Sequence, residues 1–149
     1  MPLKQLNTLH RYEQDKEKSA SQALQTAEFE YQQNIERMKS VTDYRLEYMK
    51  RLNARSLVGI DSATFSHFHA FIAKLDHAAE QVKIAMKQAK ALAEQQKQLW
   101  LIQKQKVRAV ELLRTNAMKK MAIVTSRKEQ KMFDEMSTQQ YVRRHLSSF

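Results

Sequence analysis

The chain has 149 residues, among them one glycine, one proline and no cysteine, and its 26 Lys and Arg against 16 Asp and Glu give a formal charge of +10. These numbers exclude disulfides, thiolate chemistry and a glycine-rich phosphate loop, and leave few places where a turn can form. The charge favours acidic proteins, nucleic acid or anionic lipid as partners without choosing among them.

Lys, Gln, Ala, Leu, Met and Glu dominate, residues whose unbranched side chains lose little freedom on a helix. Charged residues at 28% and hydrophobic residues at 42% suit a narrow apolar seam with wetted outer faces. The expected fold class is all-α: a long two-stranded antiparallel coiled-coil hairpin with a C-terminal helical overhang, forming one domain over 1–149. The N-terminal Met1-Pro2-Leu3-Lys4-Gln5-Leu6 lacks an apolar run followed by a cleavage site. No stretch approaches the roughly 20 apolar residues that cross a bilayer, so a soluble cytoplasmic chain is expected.

The first helix is expected over about 3–55. Within it a 4,3 spacing runs through Ala20, Leu24, Ala27, Tyr31, Asn34, Met38, Val41, Arg45, Tyr48 and Leu52, with only Asn34 and Arg45 polar. The tip is expected over 56–62, where Gly59 is free to adopt positive φ and Asp61 or Ser62 can cap the helix that follows.

The second helix is expected over about 63–137. Its 3,4 spacing runs from Phe65 through Phe68, Ile72, Leu75, Ala79, Val82, Met86, Ala89, Ala93, Gln96, Trp100, Gln103, Val107, Val110, Arg114, Ala117 and Met121 to Val124. An antiparallel pair joined at this tip sets Leu52 opposite Phe65 and Leu24 opposite Ala93. At about 1.5 Å per residue the paired arms form a rod of roughly 75 to 85 Å. Residues beyond about Thr115 then have no intramolecular partner. A tail over 138–149 completes the chain, with fraying or disorder past Ser137 as the alternative to continued helix.

A two-stranded rod offers no water-excluding concavity in which side chains converge, so no catalytic residue and no cofactor are expected. His67 and His69 lie two apart and diverge on a helix, the wrong spacing for joint metal ligation, so no metal ligands are assigned. His10, His77 and His145 read as solvated surface side chains. Asn34, Arg45, Gln96, Gln103 and Arg114 interrupt the seam, as residues that fix register do. Lys83, Lys90, Lys97 and Lys104 recur every seven residues as one basic line. No aromatics are interleaved with them as single-strand stacking requires, and no base-reading module is present.

With Phe65 at heptad position a, Phe71, Ala78, Ala85, Leu92 and Leu99 fall at g, where charge is usual, and Tyr44 is g in the first helix. Near the tip, Val41, Tyr44, Tyr48, Phe71, Leu75 and Ala78 therefore make an apolar strip wider than a two-stranded seam needs. Such a strip is either a broad seam or a docking surface. The tail sets Met118, Met121, Ile123, Val124, Met132, Phe133, Met136, Tyr141 and Phe149 among Lys119, Lys120, Arg127, Lys128, Lys131, Arg143 and Arg144. Methionine and aromatic side chains on a basic helix fill irregular partner grooves or rest on an anionic membrane.

Three segments together resemble the FliJ family of flagellar type III export proteins. They are Asp43-Tyr44-Arg45-Leu46-Glu47-Tyr48, the run from Phe71 to Gln81 reading FIAKLDHAAEQ, and Arg127-Lys128-Glu129-Gln130-Lys131-Met132-Phe133-Asp134-Glu135. The resemblance extends over most of the chain. It implies a non-enzymatic cytoplasmic component of the export apparatus, peripheral to the inner membrane at the flagellar base, with a coiled coil similar to the central stalk of rotary F-type ATPases. The partners it implies are the hexameric flagellar export ATPase, the cytoplasmic part of the export gate and export chaperones, with no nucleic acid expected. The family's gate-binding surface falls on Val41, Tyr44, Tyr48, Phe71, Leu75 and Ala78. Val82 stands where some relatives carry a polar residue, and Arg37 where they carry a neutral one. By analogy with stalk subunits, the ATPase-binding tail comprises Met118, Met121, Val124, Lys128, Lys131, Met132 and Phe133. The alternative reading is a basic coiled-coil adaptor that binds nucleic acid or an anionic membrane surface.

Overall fold

A computed structural model of the chain describes residues 2–147; Phe149, one of the tail aromatics named above, lies outside them. The described residues form two helices and no strand, α1 over Leu3–Val58 and α2 over Ser62–Ser147. The all-α class follows from the composition, because nothing after Pro2 interrupts α1 until Gly59. The first bond of α1 runs from the Leu6 N–H to the Pro2 carbonyl at 3.2 Å. Arg55 in its last turn complements the negative end of the helix dipole.

The link is shorter than the expected 56–62. Gly59 takes φ of 106°, a conformation that a side chain disfavours, and its N–H closes on the Arg55 carbonyl at 3.0 Å. Glycine is thus the residue just past the helix end, and α1 keeps residues 56–58 for itself. On the other side the Asp61 carbonyl accepts the Phe65 N–H at 3.0 Å, so Asp61 caps α2. The Thr64 side-chain hydroxyl bonds to the Asp61 carboxylate and holds its pKa below the ordinary aspartate value, against the opposing effect of desolvation and with help from the Thr64 and Asp61 backbone N–H groups.

The short link corrects the register. Leu52 packs with Phe68 and Ile72, joined by Tyr48, Met49 and Ile60, while Phe65 stays 41% exposed. Leu52 therefore meets α2 about one turn later than the sequence reading placed it. The reason is that the turn is centred on Ile60 rather than before Gly59.

The chain's internal contacts gather into two units, Glu17–Ile102 and Met1–Lys16 with Gln103–Phe149. In the first, the helical hairpin packs along the expected seam: Ala20, Leu24, Ala27, Tyr31, Asn34, Met38, Val41, Arg45, Tyr48 and Leu52 are all buried or half-buried. So are the seam positions of α2 from Phe68 to Trp100. Asn34, buried, donates to the Glu30 carbonyl at 3.1 Å and accepts from Arg37, and Arg45 donates through Nε to Asp76 on the other helix. These partners let polar residues sit in the seam without stranded groups.

In the second unit, Leu6 of α1 and Gln103, Val107 and Val110 of α2 are buried. The Gln103 amide donates to the Glu13 carbonyl at 3.0 Å and to the Glu13 carboxylate. His10, whose side chain is only 12% exposed, lies 3.2 Å from Glu111 and 3.5 Å from Arg114. This corrects the reading of His10 as a solvated surface residue. Leu6, His10 and Glu13 keep a 4,3 spacing of their own, and its polar members hide the period. Arg114 Nε is buried without a partner, a local cost of roughly 1–3 kcal/mol.

Past Ala117 every described residue is exposed, and α2 continues as an unpacked helix through residue 147. The helix thus extends through residues 138–147, beyond the expected end at 137. That stretch has no glycine or proline. Thr138 Oγ1 donates to the Asp134 carbonyl at 2.9 Å, Tyr141 lies over His145 with ring centroids 4.4 Å apart, and Arg144 and His145 fill the last turn.

Candidate interaction surfaces

Near the tip the aromatic side chains of both helices form one connected group. Tyr48 lies 4.9 Å from Phe68 and 4.5 Å from Phe71, centroid to centroid. Tyr44 stacks on Tyr48 at 6.4 Å and meets Phe71 edge-on at 6.0 Å. Such pairs add roughly 0.5–1.5 kcal/mol each beyond area burial. Phe68 is buried and belongs to the seam; Tyr48 and Phe71 are half-buried; Tyr44 is 51% exposed.

The group therefore grades from core to surface, and Val41, Leu75 and Ala78 are half-buried beside it. The heptad argument expected these six residues on one side, and ring contacts join Tyr44, Tyr48 and Phe71 among them. Val41 also lines a shallow groove with Gln33, Glu36, Arg37, Ser40 and Val82. Arg37 and Val82 thus lie at the edge of the strip. Leu46, 55% exposed, is a further apolar side chain in this stretch that the seam reading did not reach, because it sits at an outer heptad position.

The tail is the second surface. Met118, Met121, Val124, Met132 and Phe133 are 49–69% exposed, and Lys128 and Lys131 are exposed among them. At about 100° per residue, Met118, Met121, Met132 and Met136 share one face, which continues the seam face of residues 103–117. Val124, Lys128 and Lys131 form its flank, and Phe133 lies on the opposite flank. The tail thus presents an apolar methionine face with a basic border, on a helix whose described residues past Ala117 are all exposed.

His67 and His69 are both exposed, with His69 edge-on to Phe65 at 4.4 Å. Among the described residues no group of three or more His, Cys, Asp or Glu is placed to hold a metal ion. No described helix is long and apolar enough to cross a membrane.

A protein-family model described as Flagellar FliJ protein matches residues 3–146. No curated protein and no solved structure matches the chain significantly.

Proposed function

We propose that this chain, which belongs to the family of flagellar FliJ proteins and so to the components of the flagellar export apparatus, works as a non-catalytic stalk with two separate docking surfaces. The exposed tail, through Met118, Met121, Val124, Lys128, Lys131, Met132 and Phe133, binds the hexameric export ATPase and promotes its activity. The strip of Val41, Tyr44, Tyr48, Phe71, Leu75 and Ala78 contacts the cytoplasmic part of the export gate. The chain also escorts export chaperones and works peripherally to the inner membrane at the flagellar base.

The observation that carries this reading is the helix beyond Ala117, whose described residues are all exposed yet include Met118, Met121, Met132, Phe133, Met136 and Tyr141. An apolar face with no partner in its own chain is what a docking helix presents. The aromatic strip supports the second contact in the same way, since Tyr44 is held by two ring contacts and still exposes half its surface. Aromatic anchors held in place before binding carry much of the energy at protein interfaces.

The test is the ATP hydrolysis rate of the purified flagellar export ATPase with and without the full chain at moderate salt. Stimulation is expected. No stimulation and no association, with a demonstrably active ATPase, would refute the stalk role.

A further inference from the structure

Between residues 70 and 102, α2 carries a second face that neither the seam nor the proposed tail contact uses. The row beside the seam holds Phe71, Ala78, Ala85, Leu92 and Leu99, seven apart. The next two rows add Ile84 and Ile102, and otherwise only alanine, glutamine, His77 and a single cation, Lys74. Ile84, Leu92, Leu99 and Ile102 are 41–51% exposed. In a chain that is 28% charged, a face this long with one charge is not an ordinary solvated flank.

Two properties of the face select its occupant. The first is shape: within the row, the small side chains Ala78 and Ala85 lie between Phe71 at its start and Leu92 and Leu99 toward its end. An antiparallel second copy related by a two-fold axis at Ala85 sets Leu92 of each copy opposite Ala78 of the other, and Leu99 opposite Phe71. Leu92 then fills the space left by Ala78, and Leu99 and Phe71 meet as an apolar pair. The second is charge. On α1, Arg37 lines the same groove as Val82 and so lies at its level, and Glu30, seven residues earlier, lies seven further along α2 at the level of Ala89. Ala85 is midway between those levels, so the same axis brings Glu30 of one copy opposite Arg37 of the other, twice.

We infer that this face is the contact between two copies of the chain in an antiparallel two-fold dimer. It runs about 50 Å along a helix about 10 Å wide, so two copies cover roughly 1,000 Å² in total, near the lower limit for a specific interface. A reversible dimer with a dissociation constant on the order of 10 µM follows. The face includes Phe71 and Ala78, so the dimer and any other protein docked on those residues exclude one another.

Sedimentation velocity of the full chain from about 1 to about 200 µM tests this. The expected result is a monomer that becomes a dimer across the range. Leu92→Glu with Leu99→Glu removes the dimer, weakening it by at least about 100-fold, because it buries four unpaired carboxylates across the pair. Its circular dichroism remains that of the parent, since both side chains are exposed in the monomer. Glu30→Lys alone weakens the dimer roughly tenfold, and adding Arg37→Glu restores it. A parent chain that stays monomeric throughout would overturn the inference and leave the face to a different protein. So would Leu92→Glu with Leu99→Glu that dimerises like the parent, or a double charge exchange no better than the single one.

Discussion

Residues 17–102 hold 12 Lys and Arg against 10 Asp and Glu, whereas residues 1–16 with 103–149 hold 14 against 6. The nearly balanced unit also holds the connected aromatic group at Tyr44, Tyr48, Phe68 and Phe71, part of it buried. The basic unit holds six of the large side chains that stay in water past Ala117, from Met118 and Met121 to Met132, Phe133, Met136 and Tyr141. Apolar content alone does not say whether a helix face is core or surface. What decides it here is whether α1 has residues left to lie beside α2, and α1 begins at Leu3.

The largest expected effect separates core from overhang by stability. Phe68→Ala should cost about 3 kcal/mol or more in urea unfolding, because it empties the cluster with Leu52 and Ile72. Phe133→Ala, a change of the same kind on an exposed side chain, should stay within about 0.5 kcal/mol. Equal costs would mean that the tail packs on something within its own chain.

How much of this division was legible in the sequence depended on what each residue contributes to a period. The apolar positions from Ala20 to Leu52 and from Phe68 to Ala117 follow the heptad, and each is buried or half-buried. His10 and Glu13 keep a helical spacing but are polar, so the pattern ran out where hydrogen bonds to Arg114 and Gln103 replace apolar contact. The register was off by about one turn because Gly59 was read as the middle of a loop. Its role as the residue just past a helix end depends on its φ, which spacing does not reveal. Of the tip-proximal strip, heptad positions gave the six residues, whereas the grading from buried Phe68 to exposed Tyr44 required the packed rings.

The next comparison is electrostatic. Lys128→Glu with Lys131→Glu should weaken ATPase binding by roughly 10- to 100-fold in titration calorimetry, with the parent's affinity falling as salt rises. Gate binding should be unchanged by the same pair, since the strip carries no charge of its own. Tyr44→Ala should act in the reverse sense. It should weaken gate binding about tenfold while leaving ATPase stimulation intact, with a stability cost below about 1 kcal/mol because the ring is half in water.

Smaller effects belong to the link. Gly59→Ala should destabilise the chain by roughly 1–2 kcal/mol, since φ of 106° disfavours any side chain even though nothing lies within 4 Å of the added carbon. The smallest is the Asp61 cap. Its carboxyl pKa is lowered in the folded chain, so its contribution is present above the unfolded aspartate pKa and is lost as pH falls through the folded value. The melting temperature of the parent should therefore exceed that of Asp61→Asn near neutral pH, with the gap closing in acid. A gap independent of pH would show that the charge of Asp61 does not contribute.

The central claim is that the two docking surfaces are separable along one chain. The most direct measurement uses a chain ending at Ala117, assayed in parallel for stimulation of the export ATPase and for binding to the cytoplasmic part of the gate. The account predicts that stimulation is lost while gate binding stays within about twofold of the full chain and the melting temperature scarcely moves. A shortened chain that still stimulates the ATPase normally would contradict it, and would move the ATPase contact into the paired part of the molecule.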